Sequence, residues 1–236
     1  MKVHFLGIGG IGVSALAHYY LAQGHQVSGS DLTASEITDA LKKKGVKILI
    51  GKENPENISR KYDLVIHSPA VTVRNPASNV LSYPEALGRL TKKYFTIAVS
   101  GTHGKSTTTA MIGLLLVKAG LDPTVIVGTK IKEFGDSNCR IGKSRYLVIE
   151  ADEHMASFLN YWPKIIVLTT IEEDHLDYYK NLNNILKTFK KYVGRLPKNG
   201  KLVANKDDKN IRKVVGQTSK LSYSLRQPEA KKLKKA

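Results

Sequence analysis

Residues 99–107 read Val99-Ser100-Gly101-Thr102-His103-Gly104-Lys105-Ser106-Thr107, and the fold is decided by how this stretch is read. It ends the apolar run Tyr94-Phe95-Thr96-Ile97-Ala98-Val99, which predicts a strand. It opens a helical pattern carried by Thr107, Met111, Leu114, Leu115 and Val117 as far as Gly120. A strand, a turn of small residues with Gly-Lys-Ser and a helix together form a phosphate cradle, in which backbone N–H groups and a helix N-terminus face the anion. Gly101, Thr102, His103, Gly104, Lys105, Ser106 and Thr107 are therefore the candidate residues for binding a nucleotide's phosphates. Lys105 would reach the outer phosphates, and the Ser106 hydroxyl would ligate Mg2+. One position departs from the standard loop. Val99 stands where a glycine is expected and glycine falls at Gly101 instead, which implies a shorter variant.

Working toward the C-terminus, a strand near residues 124–127 precedes the run Arg145-Tyr146-Leu147-Val148-Ile149, which delivers Glu150-Ala151-Asp152-Glu153. A carboxylate at the tip of a buried strand is where a metal is held opposite the loop hydroxyl, so Glu150 is the candidate Mg2+ ligand and Asp152 the second. Capping of the next helix is the competing reading for Asp152 and Glu153. Lys164-Ile165-Ile166-Val167-Leu168-Thr169-Thr170 predicts another core strand, followed by Glu172, Glu173, Asp174, His175 and Asp177. His175 is either a surface histidine or a further metal ligand, placed beyond the same sheet edge as Lys105 and Glu150. Helices are expected over 183–193 and 207–215, and strands over 201–204 and 220–224.

Working toward the N-terminus, residues 2–8 predict a strand that runs into Gly7-Ile8-Gly9-Gly10-Ile11-Gly12. A helical pattern of Val13, Leu16, Ala17, Tyr20 and Leu21 follows. The next strand, Gln26-Val27-Ser28, leads to Asp31 at the spacing where a carboxylate meets a ribose hydroxyl. This fingerprint specifies a dinucleotide or a nucleotide sugar. Helix 37–44 and strands 46–50 and 64–66 continue the βα rhythm. Ser68, at the C-terminal end of the last of these, is a ligand contact or the closure of a pre-proline turn. Asn75-Pro76 predicts a turn and 84–90 a short helix. Thr91-Lys92-Lys93 breaks the pattern, which sets the expected domain boundary: 1–93, then 94–224, then a basic tail over 225–236.

The 236 residues are 42% hydrophobic and 24% charged, with a formal charge of +17. Of that charge +14 falls within residues 180–236, so the basicity belongs to one end. The tail lysines Lys231, Lys232, Lys234 and Lys235 have no interleaved aromatics, which favours solvated chain over a nucleic-acid site. No apolar run reaches membrane-spanning length, and Met1-Lys2-Val3 enters a strand directly, so neither a membrane partner nor a signal peptide is expected and the location is cytoplasmic. Cys139 is the only cysteine, which excludes a disulfide framework.

Gly-Ile-Gly-Gly-Ile-Gly followed about ninety residues later by Gly-Thr-His-Gly-Lys-Ser-Thr resembles the Mur ligases of peptidoglycan synthesis. So do Glu150-Ala151-Asp152-Glu153 and Ile171-Glu172-Glu173-Asp174-His175-Leu176-Asp177. The loop lacking its first glycine is that family's form. The resemblance implies an α/β chain: a Rossmann-like domain holding the UDP part of a sugar substrate, then a truncated P-loop domain holding ATP. It assigns Gly9, Gly10, Gly12, Ser14, Asp31 and Ser68 to the UDP-sugar, and Ser106, Glu150 and His175 to Mg2+. Lys105, Glu150 and His175 become the catalytic set. It is greatest toward the members that join L-alanine to UDP-N-acetylmuramate through an acyl phosphate. Family chains are about twice as long, so a fragment is expected that needs a second polypeptide and does not ligate alone. His154, Met155 and Thr170 depart from the family pattern. Three other readings stay open: a nicotinamide-dependent oxidoreductase domain, a non-catalytic nucleotide-binding remnant, and the related ligase that attaches a preformed peptide.

Overall fold

The structure, a computed structural model, describes residues 1–53, 58–74, 76–215 and 221–223. Asn75 of the expected turn, Lys220 and Ser224 of the last expected strand, and the basic tail lie outside the described residues. The described chain forms two sheets in an α/β arrangement. The first joins β1 (Lys2–Leu6), β2 (Gln26–Asp31), β3 (Lys47–Ile50), β4 (Leu64–His67) and β5 (Val80–Ser82), in the order β3-β2-β1-β4-β5 and parallel throughout. The second joins β6 (Phe95–Ser100), β7 (Thr124–Ile131), β8 (Ser137–Arg140), β9 (Tyr146–Glu150), β10 (Ile165–Leu168), β11 (Lys201–Asn205) and β12 (Leu221–Tyr223). Its order is β12-β11-β10-β6-β9-β7-β8, with only the β7–β8 pair antiparallel. The helices are α1 (Ile11–Ala22), α2 (Glu36–Lys43), α3 (Tyr83–Lys93), α4 (Lys105–Lys118), α5 (Leu176–Tyr179), α6 (Leu182–Val193) and α7 (Lys209–Val215).

In each sheet the strand that feeds a glycine-rich loop has neighbours whose order runs in opposite directions: β1 between β2 and β4, β6 between β10 and β9. Such switch points leave a crevice beyond the strand C-termini, because successive connections depart to opposite faces. The strands read as apolar runs since both faces are covered. Along β6, Ile97 and Val99 face α4 with Val125, Val148 and Val167, while Ala98 faces the opposite cluster. That second cluster is continuous through both sheets, linking Phe5, Ile8 and Leu16 with Ile126, Leu147, Phe158 and Phe189.

Helix α1 explains the continuity. It buries Val13, Ala15, Leu16, Ala17, Tyr19 and Tyr20, and it is apolar around most of its circumference because it packs on the first sheet with one side and on β7 and β8 with the other. The Asn138 amide on β8 donates to the Ile11 carbonyl and to the Ser14 hydroxyl, the latter at 3.0 Å.

The expected break at Thr91-Lys92-Lys93 is corrected: α3 runs unbroken to Lys93. Thr91 is 1% exposed, and its hydroxyl donates to the Gly88 carbonyl at 2.7 Å, which satisfies a buried polar side chain inside the helix. The same oxygen accepts from the Trp162 N–H at 3.0 Å, tying α3 to the second sheet's loops. Among the described residues no helix is long and apolar enough to cross a membrane.

Candidate functional site

The phosphate-cradle geometry begins with Gly101, whose φ of 139° is closed to other residues and whose Cβ position lies 2.2 Å from Thr169 Oγ1. The loop is stitched to the end of β10. Thr102 N donates to the Thr170 carbonyl at 2.9 Å, His103 N to Thr170 Oγ1 at 3.0 Å, and Thr169 Oγ1 to the His103 carbonyl at 2.6 Å. Thr170, one of the positions that depart from the family pattern, thus braces the loop with both its carbonyl and its hydroxyl. Gly104 caps α4 in a left-handed conformation with no side-chain cap, so the helix N-terminus carries no internal acceptor there. The helix starts at Lys105, not at Thr107, placing Lys105 and Ser106 in its first turn, where the positive end of the dipole favours an anion.

Opposite this loop stands the end of β9. Glu150, paired in register with Val99, accepts from Ser106 Oγ at 3.0 Å and from Gly128 N at 2.7 Å. The Gly128 N–H is available because β7 leaves its regular register with β8 beyond Ile126. The Lys105 ammonium is held by the Gly101 carbonyl at 2.9 Å, the Thr102 carbonyl at 3.3 Å and Glu153 Oε1 at 3.1 Å. Glu153, with its side chain 3% exposed, is pushed above the usual carboxylate range by burial, against the pull of Lys105. Asp152 accepts from His154 N at 3.1 Å in a local turn, and the short 3-10 helix His154–Asn160 that follows has Glu153 at its N-cap without a side-chain cap.

The structure brings Ser106 and Glu150 together, and it groups His175 with Asp152 and Glu153, their ligand atoms all within 4.8 Å of one another. His175 has a left-handed φ of 49°, and its ring lies 4.4 Å from that of His154, centroid to centroid, at a tilt of 34°. Left-handed backbone at Met155, Ala156 and His175 concentrates strain beside the acidic strand end. The Ser106 hydroxyl with the Glu150 carboxylate, and apart from them the Asp152 and Glu153 carboxylates with the His175 imidazole, each offer donors suited to a hard divalent cation such as Mg2+.

In the first sheet a cleft of about 550 Å³ is lined by Gly7, Gly9, Gly10, Asp31, Lys52 and Ser68. Asp31 Oδ2 accepts from Gly9 N at 2.8 Å and lies 2.9 Å from that glycine's Cβ position, so a side chain at Gly9 would displace it. The Ser68 hydroxyl accepts from Ala70 N at 3.3 Å, which closes the pre-proline turn, while the residue also faces the cleft. Ser14 is not brought to this cleft: it is 0% exposed, with its hydroxyl donating to the Ile11 carbonyl and accepting from Asn138. A second cavity of about 270 Å³ runs from Gly10, Gly12 and Tyr83 to Glu150, Asp152 and His154. Gly10 and Ser68 line both cavities, so the two adjoin at the first glycine-rich loop, and the second reaches Glu150 at the end of β9 and Asp152 just beyond it.

Sequence reasoning did not single out Glu153 or Tyr83. The Glu150-Ala151-Asp152-Glu153 pattern contains the first but not which carboxylate is buried. Tyr83 lies at a helix start marked by Pro84 and by the capping box of Ser82 with Glu85, and neither signal points to Tyr83 itself. It packs so closely that its ring lies 2.7 Å from the Cβ position of Gly12, and burial raises its hydroxyl pKa.

Comparison with known proteins gives two matching family models: the catalytic domain of the Mur ligase family over residues 2–95 and the Mur ligase middle domain over residues 99–235. A UDP-N-acetylmuramate–L-alanine ligase of Acetivibrio thermocellus is 45% identical over 90% of this chain and 47% of its own length. One from Clostridium botulinum is 41% identical over 92% of this chain and 49% of its own. The crystal structure of the UDP-N-acetylmuramate-alanine ligase of Thermotoga maritima superposes with a TM-score of 0.79 at 30% identity, covering 96% of this chain and 53% of that one. The chain spans about half the length of the curated relatives it matches. With both family models matched in order along it, the chain belongs to the Mur ligase family.

Proposed function

We propose that this chain supplies the carboxylate-activating half of the ligation of L-alanine to UDP-N-acetylmuramate in peptidoglycan synthesis. Residues 101–107 would hold ATP, and the first-sheet cleft would hold the UDP end of the sugar. The observation that carries this reading is the shared lining of the two cavities by Gly10 and Ser68, which gives a nucleotide sugar a route from Asp31 to the Ser106–Glu150 edge. A carboxylate is a poor acyl donor until its oxygen is phosphorylated. Attack of that oxygen on the γ-phosphorus, with ADP leaving, would give an acyl phosphate, which the amine of L-alanine would open with release of phosphate. The protein's part is positioning and charge. Lys105 would leave the loop carbonyls for the outer phosphates, and the α4 N-terminus would face the same anion. Mg2+, held by Ser106 and Glu150 with His175 at the neighbouring cluster, would neutralise charge on the transferring group. The amino-acid site and the rest of the ATP site would come from sequence beyond this half, in the same polypeptide or a second one.

The test is mass spectrometry of the chain incubated with UDP-N-acetylmuramate, Mg-ATP and L-alanine, beside calorimetric binding of each ligand. The expected result is binding of the UDP-sugar without efficient ligation. Absence of binding to both the UDP-sugar and ATP would overturn the proposal. Product from the chain alone would overturn its restriction to half a reaction. Product with a preformed peptide but not with L-alanine would assign the chain to the peptide-adding relatives.

A further inference from the structure

Glu153 is a buried carboxylate with one cation beside it. Its Oε1 accepts from the Lys105 ammonium at 3.1 Å. Its Oε2 lies 3.0 Å from the same nitrogen in the ion pair but accepts no hydrogen bond among the described residues. The ligand atoms of Asp152 and His175 complete a group within 4.8 Å, and Asp152 Oδ1 is itself 4.0 Å from the ammonium. The backbone beneath is fixed. The Tyr179 hydroxyl donates to the Glu153 carbonyl, and Asp152 receives the His154 N–H. A carboxylate at this depth is costly without a positive charge against it, and two cations cannot share the position without strong repulsion.

We propose that in the nucleotide-free chain the Lys105 ammonium occupies the cation position of an Asp152–Glu153–His175 site. A divalent metal enters there only as Lys105 departs for the phosphates. Metal entry and nucleotide binding are then coupled by one side chain exchanging partners, and Glu153 is the residue that both cations use. The inference rests on the phosphate-binding role of Lys105, but its test needs no nucleotide.

The experiment is a Mn2+ titration of the full chain without nucleotide, with free Mn2+ read by electron paramagnetic resonance. Lys105→Met should bind Mn2+ at least about tenfold more tightly than wild type, since removing the competing charge need be worth only ~1.4 kcal/mol. Lys105→Arg, which keeps the charge, should stay at the wild-type value, and Lys105→Met/Glu153→Gln should lose the gain. Equal affinity in wild type and Lys105→Met, or a gain that survives Glu153→Gln, would overturn the inference. A second measurement uses wild type alone: acylation of Lys105, followed by peptide mass spectrometry, should accelerate at saturating Mn2+ as the ammonium is displaced. An unchanged rate would overturn it equally. Failure in both with ATP binding intact would leave the nucleotide reading standing, whereas loss of ATP binding itself would remove that reading.

Discussion

At the scale of single residues, Lys105 and Gly101 do different work within one loop. Lys105 contributes charge, so Lys105→Ala should weaken Mg-ATP binding by about 2 kcal/mol or more, roughly thirtyfold, while leaving UDP-sugar binding unchanged. Calorimetry with each ligand in turn checks this, and equal loss of both would show that the two cradles are not separate. Gly101 contributes shape. With φ at 139° and a Cβ position 2.2 Å from Thr169 Oγ1, Gly101→Ala should cost on the order of 2 kcal/mol or more by strain and overpacking, read as a lowered urea midpoint. Ser14 separates structure from binding in the first domain. Its hydroxyl serves Asn138 and the Ile11 carbonyl, so Ser14→Ala should destabilise by about 1 kcal/mol with unchanged UDP-sugar affinity. A loss of that affinity without a loss of stability would restore Ser14 to the ligand.

At the scale of elements, the legible parts were those that local pattern encodes. The strand–loop–helix of residues 94–120 could be read because an apolar run, a glycine turn and a 3.6-residue period occur in sequence within it. β8 could not, since Ser137-Asn138-Cys139-Arg140 has no apolar alternation and is held at the sheet edge by pairing with β7. The end of α3 was misplaced because Thr91 and two lysines look like a breaker until Gly88 supplies a carbonyl acceptor. In the site, Glu150 was marked by its place at a strand tip, whereas Glu153's burial depends on α5 and on Lys105, neither adjacent in sequence. Contacts between elements also govern the response to pH. His18 on α1 is partly buried beside Lys44 at the end of α2, whose ammonium lies 3.4 Å from its Nδ1, and burial followed by that charge lowers its pKa to about 4. The folded state therefore binds fewer protons than the unfolded one between the ordinary value of 6.5 and about 4. The stability contributed by neutral His18 is present above pH 6.5 and is lost as pH falls through that window, with a slope of up to about 1.4 kcal/mol per pH unit. Denaturation of His18→Gln from pH 7 to 4 should show a shallower decline than wild type, and parallel declines would remove His18 as the cause.

At the scale of the whole molecule, the two sheets share α1, α3 and the largest apolar cluster, beside a smaller cluster on the far face of each, so much of the core belongs to both. Tyr19 on α1 meets Tyr94 hydroxyl to hydroxyl at 2.9 Å, and Gly88 on α3 approaches so closely that its Cβ position lies 2.4 Å from the Asn160 carbonyl oxygen. Separating the halves would expose α1's second apolar side together with the buried amide of Asn138, a loss of both hydrophobic burial and hydrogen bonding. The halves should therefore unfold together. Hydrogen exchange of β1 and β6 amides across a urea series should show both sets losing protection at one midpoint, and two separated midpoints would mean independent domains. The same coupling sets how a ligand's stabilisation spreads. A UDP-sugar bound at the Gly9–Asp31 cleft stabilises only the folded state, by an amount that grows with the logarithm of its concentration. With a shared core, its presence should raise protection in β6 and β10 of the second sheet as well as in β1, and protection confined to the first sheet would show that the cluster through α1 does not transmit stability between the two nucleotide sites.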